Sequence, residues 1–344
     1  MLNGKNVLIT GGTGSFGKKF VRIVTENYRP NRLIIFSRDE LKQFEMSQKW
    51  NTRKYPYIEY VLGDVRDRDR LMRVFNDVDY VIHAAALKQV PAAEANPGEY
   101  IKTNVLGAMN IIDAAQINKV RKVIALSTDK ACNPINLYGA TKLCSDKLFV
   151  AVNTNHGLNT TRFAVVRYGN VLGSRGSVVP FFKERAQTGV LPITDPRMTR
   201  FWITLDQSVH FVLKTLELSK GGEIFVPRIP SMRIIDLAEA ISPECRKEIV
   251  GIRPGEKLHE TLIGEDDCRN TVEFNECYII QPSPEAMKDL MNGNGNKTVA
   301  DGFSYTSDKN ETWMSIPELK NLIDSIADDY SIEQSRWSME DIPQ

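Results

Sequence analysis

Tyr138 and Lys142 stand four residues apart in Leu137-Tyr-Gly-Ala-Thr-Lys142, which on a helix sets a phenol and an ammonium one turn apart on one face. A free tyrosine titrates near about 10, and a neighbouring cation favours the phenolate and lowers that value towards the working range. Such a phenolate takes the proton of a hydroxyl while hydride leaves the adjacent carbon. The spacing alone decides little, because it recurs as Tyr305–Lys309 with nothing around it to support chemistry. What separates Tyr138 is the run Ser127-Thr128-Asp129-Lys130, which ends the strand-like segment Lys122–Ser127 just ahead of it.

A second constellation lies near the start of the chain. Thr10-Gly-Gly-Thr-Gly-Ser-Phe-Gly17 follows a strand pattern directly and opens a helical one. Gly11, Gly14 and Gly17 suit a tight turn, a close approach to a pyrophosphate and close helix–strand packing. Thr13, Ser15 and Phe16 fill the same turn, and the helix N-terminus offers free N–H groups to phosphate. About twenty residues on, where an NAD site carries an acid for the ribose, the chain has Ser37-Arg38-Asp39 with Lys42 one turn later. Ser37 does not repel a 2′-phosphate, and Arg38 and Lys42 neutralise one, so NADP is favoured over NAD. Asp39 also suits a helix N-cap. Asp64 and Val65 follow the third strand and suit an adenine edge; Ala84 and Ala85 follow the fourth and suit a flat wall. The cofactor's nicotinamide cation, beside Tyr138 and Lys142, lowers the phenol further.

The elements that position these groups alternate. Strands are expected at Lys5–Thr10, Arg32–Ser37, Ile58–Leu62, Tyr80–His83, Lys122–Ser127 and Arg162–Val171. Helices are expected at Ser15–Glu26, about Asp39–Trp50, Arg68–Phe75 and about Asn136–Asn153. Strands apolar on both faces and separated by helices predict an α/β doubly wound parallel sheet, a Rossmann arrangement. Beyond Asn170 the rhythm changes. Gly173–Arg200 reads as loop with one helix near Val179–Thr188, and Leu205–Leu218 and Glu223–Val226 read as a late helix and strand returning to the sheet. The expected division is a dinucleotide-binding domain over 1–171 plus about 201–227. A smaller mixed α/β substrate lobe takes about 172–200 and 228–344, with the stretch after Gln281 unread.

Lys and Arg number 44 against 43 Asp and Glu, a balance that leaves no footprint for nucleic acid or an anionic membrane. No apolar run approaches the ~20 residues of a membrane span, and Met1–Thr10 lacks a signal-peptide pattern. A soluble, cytoplasmic protein is expected. Five cysteines without a CxxC pair and four histidines suggest free thiols and no metal site.

Several long segments together resemble one group of the extended short-chain dehydrogenase/reductases. They are Thr10–Gly17, His83–Lys88 (HAAALK), Ser127–Lys142 (STDKACNPINLYGATK), Arg167–Phe182 (RYGNVLGSRGSVVPFF), Met198–Ile203 (MTRFWI) and Arg253–Glu260 (RPGEKLHE). The group is the inverting UDP-N-acetylglucosamine 4,6-dehydratases, which begin pseudaminic acid synthesis, and the resemblance spans about residues 1–282. In ordinary 4,6-dehydratases the strand end reads Thr-Asp-Glu; here it reads Thr128-Asp129-Lys130, as in the inverting group. The resemblance implies that Tyr138 takes the O4 proton as C4 is oxidised, Lys130 removes the C5 proton, and Asp129 protonates the departing C6 hydroxyl. Reprotonation of C5 from the other face then gives the L-arabino 4-keto-6-deoxy product. These roles require a raised Asp129 and a lowered Lys130, unless the pair shares a proton.

For the UDP-sugar, Asn170 resembles a substrate-contacting residue. Arg253 suits the diphosphate, Glu256 a ribose hydroxyl, Arg175 and Arg200 the same anion, and Lys88 either ligand. His83 and His259 read as wall residues. The resemblance further implies a homo-oligomer. Three other readings stay open: a retaining 4,6-dehydratase; a UDP-hexose 4-epimerase, which has no need of Asp129-Lys130; and a catalytically dead NADP sensor, for which the retained Tyr138 and Lys142 would be surplus.

Overall fold

A computed structural model describes residues 1–154, 161–174, 176–291 and 296–325. Six parallel strands come first: β1 (Asn6–Thr10), β2 (Arg32–Ser37), β3 (Ile58–Leu62), β4 (Tyr80–His83), β5 (Lys122–Leu126) and β6 (Arg162–Val166). Val7, Leu8 and Ile9 of β1 and Leu33 to Ile35 of β2 are wholly buried, as strands covered on both faces must be. The chain then leaves the sheet through β7 (Asn170–Leu172), β8 (Val190–Ile193) and β9 (Thr199–Thr204) and returns in β10 (Ile224–Pro227), parallel to β6.

The remaining strands are β11 (Ser231–Arg233), β12 (Arg246–Ile249), β13 (Thr261–Ile263), β14 (Thr271–Phe274), β15 (Cys277–Ile280), β16 (Lys297–Thr298) and β17 (Tyr305–Thr306). The main sheet runs β16-β14-β15-β10-β6-β5-β4-β1-β2-β3. Its last three members by sequence, β14, β15 and β16, add antiparallel. These three strands, grouped with the smaller lobe on sequence, therefore extend the large sheet. A second core outside it joins Leu172, Phe182, Leu191, Trp202, Leu237 and Leu319.

Two sequence expectations change here. The single strand 162–171 is two strands in different sheets, because Arg167–Gly169 breaks the ladder and β7 pairs with β9. The supposed loop 173–200 holds β8 and the start of β9 as well as the helix Val178–Ala186. Short strands beside Pro and Gly carry too few alternating positions to be read from pattern.

Strand order reverses between β1 and β4, the point at which a doubly wound sheet opens a crevice at the carboxyl ends of its strands. Thr10 and His83, register partners there, are joined by a 2.8 Å hydrogen bond between Oγ1 and Nδ1.

Candidate active site

A cleft of about 1280 Å³ opens along those strand ends, between the main sheet and the second core. All the residues named above for cofactor, chemistry and substrate line it except Arg175, which falls outside the described residues.

At the β1 end, Gly11 adopts φ +66°, and a Cβ there would meet the backbone of Ala85 at 2.9 Å, so glycine is required for the turn to lie against β4. Helix Ser15–Asn27 starts at Gly14 with no side-chain cap and no acid in its first turn. Its leading N–H groups thus face the cleft as a ready anion cradle. The buried hydroxyls of Thr13 and Ser37 bond at 2.8 Å. Arg38 lies 3.6 Å from Asp64, and Lys42 pairs with Asp39, which also caps helix Glu40–Lys49. Despite partial burial, which works the other way, Arg66 and Arg38 hold the Asp64 carboxyl below its ordinary range. These residues fit a dinucleotide with its phosphates on the helix and its ribose beside Arg38.

The chemical groups gather at the β5 end. Thr128 opens a one-turn helix, Asp129–Ala131, and its hydroxyl donates to Oδ1 of Asp129 at 2.9 Å. Nζ of Lys130 lies 3.0 Å from the same oxygen and 3.2 Å from Oε1 of Glu260. Helix Leu137–Ala151 carries Tyr138 and Lys142 over this turn and is capped by Asn136, whose Oδ1 accepts from the Gly139 N–H at 2.8 Å. The Asn136 amide also donates to the Gly255 carbonyl at 2.8 Å, tying the Arg253–Glu260 segment to the helix.

Two electrostatic expectations are corrected. Burial pushes the Tyr138 phenol up to about 12, against the Lys130 ammonium and a Thr128 hydrogen bond that lower it. The ammonium acting on the phenol is thus Lys130's. Nζ of Lys142 instead donates to the Leu126 carbonyl at 2.7 Å, and burial lowers its own pKa, with Asp146 working the other way. Lys130 moves opposite to expectation as well. Burial disfavours its charge, but Asp129 and Glu260 outweigh that and hold the amine above the ordinary lysine range. The two side chains are joined by one hydrogen bond, donated by the Lys130 ammonium.

The substrate candidates divide. Asn170 lines the cleft with a buried Oδ1 that has no hydrogen-bond partner among the described residues. Arg253 is largely exposed and pairs with Glu256 at 2.8 Å, and Lys88 lines the cleft. Arg200 does not lie in a loop. It sits in β9, and its guanidinium donates to the carbonyls of Thr199, Lys257 and Leu258, so it clamps that segment instead of offering a free fork to an anion. Burial depresses His83 to about 3 and keeps it neutral, while His259 bonds Thr199 at 2.8 Å. Tyr305 of the second Tyr-x-x-x-Lys is core, its hydroxyl bonded to the backbone of Ile229.

Three groups escaped the sequence reading. Glu260, almost wholly buried against Lys130, closes a segment whose earlier residues drew the attention. Asp146, two helical turns beyond Tyr138, accepts from Ser127 at 2.8 Å and pairs with Arg167 at 3.4 Å. Asn104, in the π-helical turn Ile101–Leu106, bonds both backbone groups of Leu87 and the hydroxyl of Thr141. It fixes the 84–88 wall to the catalytic helix. The Tyr138–Lys142–Asp146 spacing of four was a usable signal for the second of these.

Comparison with known proteins agrees with this geometry. The family described as polysaccharide biosynthesis protein matches residues 7–282. The chain is 59% identical, over 94% of its length and 98% of the relative's, to a UDP-N-acetylglucosamine 4,6-dehydratase (inverting) of Campylobacter jejuni. It is 41% identical to a UDP-glucose 4-epimerase of Rickettsia bellii, covering 93% and 95%. Among solved structures, Pen from Bacillus thuringiensis superposes with a TM-score of 0.85 at 36% identity, covering 94% of this chain and 98% of that one. The chain belongs to this polysaccharide-biosynthesis family, within the inverting UDP-N-acetylglucosamine 4,6-dehydratases.

Proposed function

We infer that the chain removes water across C5 and C6 of UDP-N-acetylglucosamine and inverts C5, using NADP as a recycled cofactor. The observation that carries this reading is the Asp129–Lys130 contact of 3.0 Å beside Tyr138 at a strand end. An epimerase needs the phenol but has no use for that pair.

Bound in the cleft, the nicotinamide dinucleotide supplies a hydride acceptor at C4, a donor at C6 and a ring cation that favours the Tyr138 phenolate. Tyr138 takes the O4 proton, with the Lys130 ammonium steadying the phenolate. The C4 ketone acidifies C5–H. One proton shift from Lys130 to Asp129 then arms both groups at once, leaving a neutral amine to take the C5 proton and a carboxylic acid to meet the C6 hydroxyl. After water departs, the pair is back in its ion-paired form. Lys142, held by the Leu126 carbonyl, would line the bound cofactor beside Tyr138, and Ser37, Arg38 and Lys42 would favour NADP over NAD. Asn170, Arg253 and Glu256 line the path for the UDP-sugar, with Lys88 beside either ligand.

Incubation with UDP-N-acetylglucosamine in heavy water tests this. Loss of one water with deuterium at C5 and couplings of the L-arabino configuration is the expected result. Unchanged mass with a C4 epimer would establish an epimerase instead, and unchanged configuration at C5 a retaining dehydratase.

A further inference from the structure

Among the described residues, Glu260 is the carboxylate in contact with Lys130 to which the reaction above gives no work. It is 2% exposed, at the cleft wall, with Oε1 3.2 Å from the Lys130 amine. A charge so deep in the protein is costly unless compensated. The same Oε1 lies 3.7 Å from Nε of Arg200, and Oε2 is 4.0 Å from Nζ of Lys257 and makes no hydrogen bond among the described residues. Its backbone is fixed on both sides: the N–H donates to the Ser307 hydroxyl at 2.9 Å, and the carbonyl accepts from the Ser307 N–H at 2.8 Å. Ser307 itself is fully buried and bonded to Thr199. The backbone of the glutamate is therefore fixed by a buried pair of hydroxyl residues.

The groups acting on the Lys130 amine are Asp129 on its own turn, Tyr138 on the catalytic helix, Glu260 on the segment before β13 and Arg200 on β9, with Lys257 on the other oxygen of Glu260. Asp129 cannot hold the amine alone through the cycle, because it must give up its charge when it takes the proton. A neutral amine keeps two N–H donors and one lone pair. If Glu260 accepts one N–H, the amine stays anchored after the proton has moved, and its lone pair is left for C5. Arg200 and Lys257 keep the Glu260 charge balanced when Lys130 becomes neutral. Arg200 would also drive the proton off Lys130 if Glu260 did not offset it.

Resting on the dehydratase reading, we propose that Glu260 is a positioning residue for the C5 proton transfer: it anchors the Lys130 amine in both of its charge states and keeps one proton on the Asp129–Lys130 pair. Glu260 touches neither O4 nor the nicotinamide side of Tyr138 in this scheme. C4 oxidation needs only the Lys130 charge near Tyr138 and not an aimed lone pair, so the loss of Glu260 should slow it far less than C5 exchange, whereas a merely structural role would slow both steps together.

The test uses full-length protein loaded with NADP. Wild type must first lose water from UDP-N-acetylglucosamine; if it does not, the dehydratase reading fails before this one is reached. Glu260→Ala should slow deuterium wash-in at C5 by about ten-fold or more, the scale of a misplaced acid–base group. The single-turnover rise in reduced-cofactor absorbance, which reports C4 oxidation, should stay within about two-fold, as should KM. Glu260→Gln keeps an acceptor for the amine and removes the charge, so the shared proton should leave more readily and the alkaline limb of the C5-exchange profile should move to lower pH, by about one unit. Equal slowing of oxidation and exchange by Glu260→Ala overturns the proposal. So does an alkaline limb that Glu260→Gln leaves in place. If Glu260→Ala does not fold, as judged by NADP binding, the Glu260→Gln profile decides alone.

Discussion

Gly139 packs against the carbonyl oxygen of Lys130, and a Cβ at 139 would collide with that oxygen. The first turn of the catalytic helix can therefore lie directly on the turn that carries Asp129 and Lys130, bringing the phenol within hydrogen-bonding reach of Thr128. Gly139→Ala should shift one element off the other. Overpacking of this kind costs about 1–3 kcal/mol, visible as a lower midpoint in urea, and C5 exchange should fall further than stability does. Unchanged exchange in a folded variant would mean that the close contact does not set the geometry.

The division of labour at the strand end gives a second expectation. Asp129→Asn keeps the volume and a hydrogen bond to Thr128 but cannot deliver a proton. It should bind NADP and oxidise C4 normally while water loss drops by about 10²–10⁴-fold. Single-turnover absorbance against product mass separates the two steps, and normal water loss would remove Asp129 from the acid role.

Arg38 should decide between the two dinucleotides. Arg38→Ala removes a charge-assisted bond of about 1.5–3 kcal/mol to a 2′-phosphate, so NADP binding should weaken by about 10–100-fold while NAD binding stays level. Fluorescence titration with both cofactors reads the difference. Equal weakening would place the arginine elsewhere on the ligand.

His83 makes a stability expectation with a definite sign. Burial first, and Lys142 second, lower its folded value from 6.5 to about 3. The unfolded chain therefore binds the proton first as pH drops, and the contribution of His83, whole above about 6.5, is lost progressively down to about 3. Between pH 7 and pH 5 this should remove about 2 kcal/mol from the unfolding free energy of the wild type. His83→Gln should lose less over the same interval, and identical losses would show that His83 titrates freely in the folded state.

The sheet was legible because its central strands are buried on both faces and punctuated by glycine. Thr10–Gly17 declared both a strand end and a helix start. Asn170 and Arg200 show where pattern reading thins out: each sits in a short strand, β7 or β9, whose pairing is decided by a neighbour far along the chain. The residue types at the site were legible too, but their charges were not. Lys130 was expected to lose its proton because burial favours the neutral amine. That inference needed the second carboxylate, and Glu260 lies 130 residues away with nothing local to announce its contact. Likewise the Tyr-x-x-x-Lys spacing pointed to Lys142 as the cation for the phenol, whereas the backbone of β5 captures Lys142 and the turn delivers Lys130.

The claim on which the reading turns is that the Lys130 amine removes the proton from C5. Lys130→Ala, loaded with NADP and given UDP-N-acetylglucosamine in heavy water, measures it directly by deuterium content at C5 over time. The expected result is slowed but detectable C4 oxidation, no water loss, and C5 exchange reduced by at least about 10²-fold. Deuterium entering C5 at the wild-type rate would contradict the assignment and leave the base to another group in the cleft.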